Sequence, residues 1–251
     1  MQYVRCQDVW MTENRSPRLA VLIDADNASA RIVDGLFEEI AKIGEASVRR
    51  IYGDFTNSRL KTWTEALSKH AIMPHQNFAM TTGKNASDIA LVIDAMDLLH
   101  SGRFDGFCLV SSDSDFTRLA ARIREQGIDV FGFGEAKTPE SFRQACHRFI
   151  YTENLLSNDG EVPAPAVVKS KKPITAATKL IKKAIAQLDN EDGWVSLSSV
   201  GKQLSTLASD FDPRTYGHAK LSDLATKTGA FETKRSDSGG VYIRSKVAKG
   251  K

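Results

Sequence analysis

A chain of 251 residues with 41% hydrophobic and 26% charged residues has the balance of an ordinary globular protein, which excludes a disordered polymer and a membrane-embedded one. Its net charge of +3 hides an asymmetry: residues 1–168 carry 18 Lys and Arg against 23 Asp and Glu, whereas residues 169–251 carry 16 against 8. An acidic first part joined to a basic second part suggests a module that holds a polyanion beside a module that acts on it.

Residues 1–16 show no periodicity and read as a tail, with Met11 as sensible a first residue as Met1. They are too polar for a signal peptide, and no later run approaches the roughly 18 to 20 apolar residues of a membrane span. The three cysteines, Cys6, Cys108 and Cys146, are odd in number and far apart, which argues against a disulfide framework or zinc knuckle and for a reducing cytoplasm.

From residue 17 the pattern alternates. RLAVLID (18–24) is an apolar run ending in an acid, as in a strand buried on both faces of a parallel sheet. A helix is predicted from Ala28 or Ser29 to Gly44, a strand over 47–54, and a helix over 57–69 capped by Asn57 or Ser58. A third strand over 70–78 is broken or at an edge because of Pro74. TTGKNA (81–86) reads as a loop, after which Ser87 caps a strongly apolar helix that ends at Ser101-Gly102. Strand, helix and strand follow over 106–112, 113–127 and 128–134, then a helix over 139–146 and a strand over 148–152. The order predicts an α/β fold with a doubly wound, mostly parallel sheet over residues 17–156.

Residues 157–173 hold three prolines and a basic run, a linker composition that as free chain spans about 20 to 25 Å r.m.s.. Residues 174–245 then read as three helices and a β-hairpin, a small winged-helix domain, and 246–251 as a basic tail.

In a parallel α/β sheet, ligands bind outside the carboxyl ends of the strands, and the acids gather there. Asp24 ends the first strand, Asp113 and Asp115 follow the fourth, and Asp88 opens the helix after the third. Two carboxylates about 5 Å apart repel by roughly 3 kcal/mol at an effective dielectric near 20, so such a cluster persists by taking up protons or a cation. Oxygen-only ligand sets suit Mg²⁺ or Mn²⁺. Asp88, Asp113 and Asp115 singly are also explained as first-turn helix acids; an acid ending an apolar run, as Asp24 does, is harder to explain without a site. Asn27, Lys84, Ser111, Ser112 and Ser114 lie near them in sequence; of these Asn27 suits the orienting of a carboxylate or phosphate and Lys84 suits an anion, with loop and cap roles as the plain alternative. Asp26 is peripheral, and Asp94, about 240° of helix rotation from Asp88, is expected to face elsewhere. The five histidines lack metal spacing, and the glycine pair of FGFG (131–134) is too weak for a dinucleotide site.

VLIDADN, KNASDIALVIDAMDLL and LVSSDSDF, in that order and spacing, resemble the NYN domain, a PIN-like nuclease family that includes the LabA-like proteins. The resemblance implies a PIN-like fold, a Mg²⁺ or Mn²⁺ cofactor and endonucleolytic cleavage of RNA, with Asp24, Asp88, Asp113 and Asp115 as metal ligands and Asn27 and Ser112 beside them. DGWVSLSSVGKQL, the aromatic turn around Phe211 and Tyr216, KLSDLATKTGAFE and the Val241-Tyr242-Ile243 strand resemble a LOTUS domain, also called OST-HTH. That resemblance implies RNA as partner, single-stranded or structured, and leaves room for a homodimer or a protein partner, since some members bind proteins. Lys220, Lys227, Lys234, Arg235, Arg244 and Lys246 are the expected phosphate contacts. Trp194, Phe211 and Tyr216 are expected in the core. The leading expectation is a metal-dependent endoribonuclease with an RNA-binding module. The alternatives are a non-cleaving RNA-binding adaptor, or a haloacid dehalogenase-like phosphatase, whose D-x-D is echoed by Asp24-Ala25-Asp26.

Overall fold

The structure, a computed structural model, describes residues 15–56, 58–77, 86–156, 172–188, 193–236 and 239–246. The Asn57 cap, Lys84, most of the 1–16 tail, most of the linker and of the basic tail lie outside the described residues.

The first unit is a six-stranded, all-parallel sheet of order β3-β2-β1-β4-β5-β6. Its strands are β1 (Arg18–Asp24), β2 (Glu45–Gly53), β3 (Met73–Gln76), β4 (Gly106–Val110), β5 (Asp129–Gly134) and β6 (Arg148–Tyr151). β3 lies at one edge, where Pro74 costs the ladder least.

Two apolar clusters cover the two faces, because alternate strand residues point oppositely. Leu19, Val21 and Ile23 pack on α1 (Val33–Ala41) and on Trp63 of α2 (Trp63–Lys69). Ala20 and Leu22 pack on α3 (Ala86–His100), α4 (Thr117–Glu125) and α5 (Glu140–Ala145).

Several predicted helices begin as 3₁₀ turns instead: Ala30–Ile32 before α1, Ser58–Thr62 before α2 and Ser114–Phe116 before α4. The predicted fourth strand stops at Val110, which leaves Ser111 and Ser112 in the turn beyond the sheet.

The second unit comprises α6 (Ile174–Ala186), β7 (Val195–Ser196), α7 (Leu197–Leu207), a 3₁₀ turn (Pro213–Tyr216), α8 (Leu221–Thr228), β8 (Phe231–Arg235) and β9 (Val241–Ser245). Ile181, Val200, Leu204, Ala225 and Ile243 form its core. The antiparallel sheet β7-β9-β8 is the wing. Phe211 and Tyr216 pack together inside, 5.7 Å between ring centroids, as expected.

Trp194 does not join that core. It is half-buried and carries two cations on its ring, Lys234 Nζ at 4.4 Å and Arg244 Cζ at 4.6 Å from the centroid.

The two units touch. Phe149 N–H on the outer strand β6 donates to the Ser209 carbonyl at 2.8 Å, and Ser209 Oγ donates to the Arg143 carbonyl at 2.6 Å. Asp210 receives Arg143, the Tyr151 hydroxyl and Lys172 Nζ, the last at 3.1 Å. In the other direction, Glu39 of α1 receives Arg214 at 3.0 Å and Arg148 at 3.1 Å, while Arg214 also grips Asp212 at 2.6 Å.

Candidate functional site

β1 and β4 lie side by side at the point where the strand order reverses, so a crevice opens at their carboxyl ends. Asp24 sits there with 1% exposure. One of its oxygens accepts the Asp26 and Asn27 amides at 3.0 and 3.3 Å, and the other accepts Asn27 Nδ2 at 2.8 Å and Ser111 Oγ at 2.7 Å. Burial pushes the Asp24 carboxyl above the usual range despite these four bonds.

Ser111 knits the strand ends together. While its hydroxyl donates to Asp24, its oxygen accepts the Asp113 amide at 3.0 Å. Asp113 in turn caps the 3₁₀ turn by accepting the Asp115 amide at 2.9 Å. The capping and crevice readings of Asp113 are therefore both satisfied. Asp115 is exposed at the rim.

The third segment arrives through Ser87, whose hydroxyl donates to Asp26 at 3.3 Å and sets the first turn of α3 beside the β1 end. Asp88 follows it. Burial first, then the charges of Asp24, Asp113, Asp26 and Asp115 in that order, push its carboxyl up to about 6. Asp26 thus presses on Asp88 more than Asp115 does, although it reads as peripheral in the sequence. Among the described residues no three acidic, His or Cys side chains are close enough together to form a ready ion cage.

Ser112 points away from the acids. Its hydroxyl accepts the Glu135 amide at 2.9 Å and ties the turn after β4 to the end of β5. The adjacent Gly134 fits for a related reason, since a Cβ there would come within 2.6 Å of the Ser111 carbonyl. The resemblance points to Ser112, whereas Ser111 is the serine that holds Asp24, and β4, buried on both faces, offers no alternation to separate them.

Asp94 faces elsewhere, as expected. It accepts Arg50 at 2.7 Å and the Tyr52 hydroxyl at 2.8 Å, with His75 Nδ1 at 3.5 Å, and so pins α3 to β2 and β3.

On the second unit, Lys220, Lys227, Lys234 and Arg235 are exposed. Arg244 is less available than its neighbours, because Glu232 on the facing strand accepts its Nε at 2.6 Å. A groove of about 430 Å³ opens where the starts of α7 and α8 meet the wing, walled by Ser196, Lys220, Ser222 and Tyr242. α8 begins there without a side-chain cap. No helix among the described residues is long and apolar enough to cross a membrane.

The sequence matches the NYN domain over residues 18–156 and the OST-HTH/LOTUS domain over residues 169–243. None of the curated proteins matches it. Among solved structures the chain is similar to a protein of unknown function from Vibrio parahaemolyticus RIMD 2210633, at 17% identity and a TM-score of 0.47, covering 55% of this chain and 94% of that one. It is also similar to an uncharacterized protein from Nitrosomonas europaea, at 30% identity and a TM-score of 0.28, covering 38% of this chain and 96% of that one. The NYN match runs over more than half of the residues and encloses every acid of the crevice, so the chain belongs to the NYN domain family, with an OST-HTH/LOTUS domain after its nuclease-type domain.

Proposed function

We propose that this protein is a metal-dependent endoribonuclease whose OST-HTH/LOTUS domain holds the RNA. The observation that carries the reading is the Ser111 bridge between Asp24 and Asp113, with Ser87 bringing Asp88 alongside, inside a domain of nuclease type.

By donor type, though not by a closed cage, these acids suit Mg²⁺ or Mn²⁺. They are carboxylates alone, and Asp88 is disfavoured as an anion by its burial and then by its four acidic neighbours, a strain that a divalent cation relieves. Such an ion supplies acidification of a bound water and neutralisation of phosphate charge. The chain's own residues do the rest. Asn27 and Ser111 hold the Asp24 carboxylate in one orientation, Asp88 and Asp113 present theirs from the crevice walls, and Asp115 stands at the rim where a phosphodiester enters. Exposed Lys220, Lys227, Lys234 and Arg235 meet backbone phosphates, and the groove beside Tyr242 has room for a nucleotide. Lys84, outside the described residues, belongs to the same proposal as an anion contact on its place in the sequence alone.

The D-x-D phosphatase alternative loses ground to the family match, which takes in Asp24-Ala25-Asp26.

The deciding experiment uses labelled single-stranded and structured RNA with and without Mn²⁺, comparing wild type with Asp24→Asn. Cleavage that needs both the ion and Asp24 is expected. RNA bound but left whole in every condition would instead establish the adaptor.

A further inference from the structure

The contact between the two units has a form that a flexible tether does not. Each side contributes a shielded carboxylate to basic groups of the other. Glu39 of the NYN domain, 5% exposed at its side chain, takes Arg214 of the OST-HTH domain. Asp210 of the OST-HTH domain, 10% exposed, takes Arg143 and Tyr151 of the NYN domain. Lys172, at the exit of the linker, closes on the same Asp210, and its amide donates to the Thr215 carbonyl at 3.2 Å. Asn154, at the linker's entrance, donates to Thr215 Oγ1 at 3.2 Å.

Opposite charges crossing in both directions admit one register, because sliding or rotating either domain brings like charges together or strands a carboxylate. The backbone bond from Phe149 to Ser209 adds a directional constraint on the outer strand. Neither the crevice acids nor Lys220, Lys227, Lys234 and Arg235 take part in the contact, so both working surfaces stay open while their separation is set.

We propose that the OST-HTH domain acts as a fixed ruler: docked through Glu39–Arg214 and Asp210–Arg143, it holds RNA at a set distance from the acidic crevice and thereby selects the phosphodiester that is cut. The cut position rests on the nuclease reading above; the docking does not. The length of the linker plays no part in where the RNA is cut.

Three proteins test this: wild type, a variant with ten Gly and Ser residues inserted between residues 160 and 166, and Arg214→Ala with Asp210→Ala. Small-angle scattering reads the docking without reference to activity. The expected radius of gyration rises for the double variant and stays near wild type for the insertion apart from the added chain. Cut positions are then mapped with Mn²⁺ on a 5′-labelled RNA carrying one stem-loop beside a single-stranded arm. Wild type and the insertion should share one dominant cut, and the double variant should scatter cuts along the arm. Circular dichroism of the double variant confirms that the OST-HTH helices persist. A cut that moves with the insertion overturns the ruler, and so does a wild type whose scattering is that of separated domains. A docked wild type that cleaves nothing would remove the nuclease reading, and the ruler's role in cleavage with it, while leaving the docked interface standing.

Discussion

Asp24 and Asp88 illustrate opposite ways of keeping an acid in a crevice. Asp24 is shielded and compensated by four hydrogen bonds, whereas Asp88 is pushed up by burial and then by neighbours of its own sign. Its folded value of about 6 lies above the ordinary carboxylate value, so without metal its contribution to stability is fully present at low pH and is lost as pH rises through 6. Asp88→Asn should therefore stabilise the metal-free protein by about 1 kcal/mol at pH 8, after allowance for solvent screening, and change little near pH 4. Thermal unfolding in EDTA at the two pH values checks this, and added Mn²⁺ should reverse the order of wild type and variant. Ser111→Ala removes a bond from a buried carboxylate and should cost about 1 to 3 kcal/mol in chemical denaturation, with cleavage lost alongside. Ser112→Ala should loosen the turn after β5 and leave cleavage largely intact, a contrast read in the same two assays. The acids themselves were legible, since Asp24 ends an apolar run and Asp113 follows another. Which serine served them was not, because a strand buried on both faces erases the period-2 signal.

At the scale of elements, the site depends on where strands stop and helices start. β4 ends at Val110, two residues short of the strand end predicted at 112, and the 3₁₀ turn at Ser114–Phe116 lets Asp113 act as cap and crevice acid at once. Sequence periodicity marked the helices well but placed the starts of α1, α2 and α4 early, since a 3₁₀ turn and the first turn of an α-helix carry the same capping residues, and placed that of α3 late, Ser87 lying one residue inside it. α1 is tied down at Gly35, where a Cβ would fall 2.1 Å from the Leu155 carbonyl oxygen. Gly35→Ala gains helix propensity yet should lower stability by about 1 to 3 kcal/mol, because the helix must retreat from the end of the domain. Urea denaturation decides between the two effects. In the wing, Lys234 and Arg244 lie across Trp194, a placement that the expectation of a core tryptophan missed because Trp is apolar and polar-tolerant alike. Lys220→Ala should weaken RNA binding and reduce the salt slope by about one unit, while Arg244→Ala, already paired with Glu232, should reduce it less.

For the whole molecule, the order of domains was legible and their docking was not. Glu39 and Arg214 stand 175 residues apart, and a surface charge in a sequence carries no mark of its partner. At Asp210 burial alone would raise the carboxyl, but the Tyr151 hydrogen bond and the charges of Lys172 and Arg143 outweigh it and hold it below the usual range. Glu39 is likewise lowered: burial is outweighed by the Lys42 hydrogen bond and the Arg214 charge. Both therefore stabilise the docked form above the ordinary carboxylate range and lose that contribution as pH falls through their depressed values. Scattering across a pH series should show a compact particle at neutral pH and domain separation in acid.

The bond from Phe149 to Ser209 also bears on how this protein is dissected. β6 is the last strand of the sheet, and an uncovered strand edge is a template for another chain. A protein cut off after residue 156 would present that edge bare, together with Tyr151 and Arg143 stripped of Asp210. Such a fragment should pair edge to edge or precipitate, so poor behaviour of the isolated NYN domain would report a lost neighbour and not a lost active site.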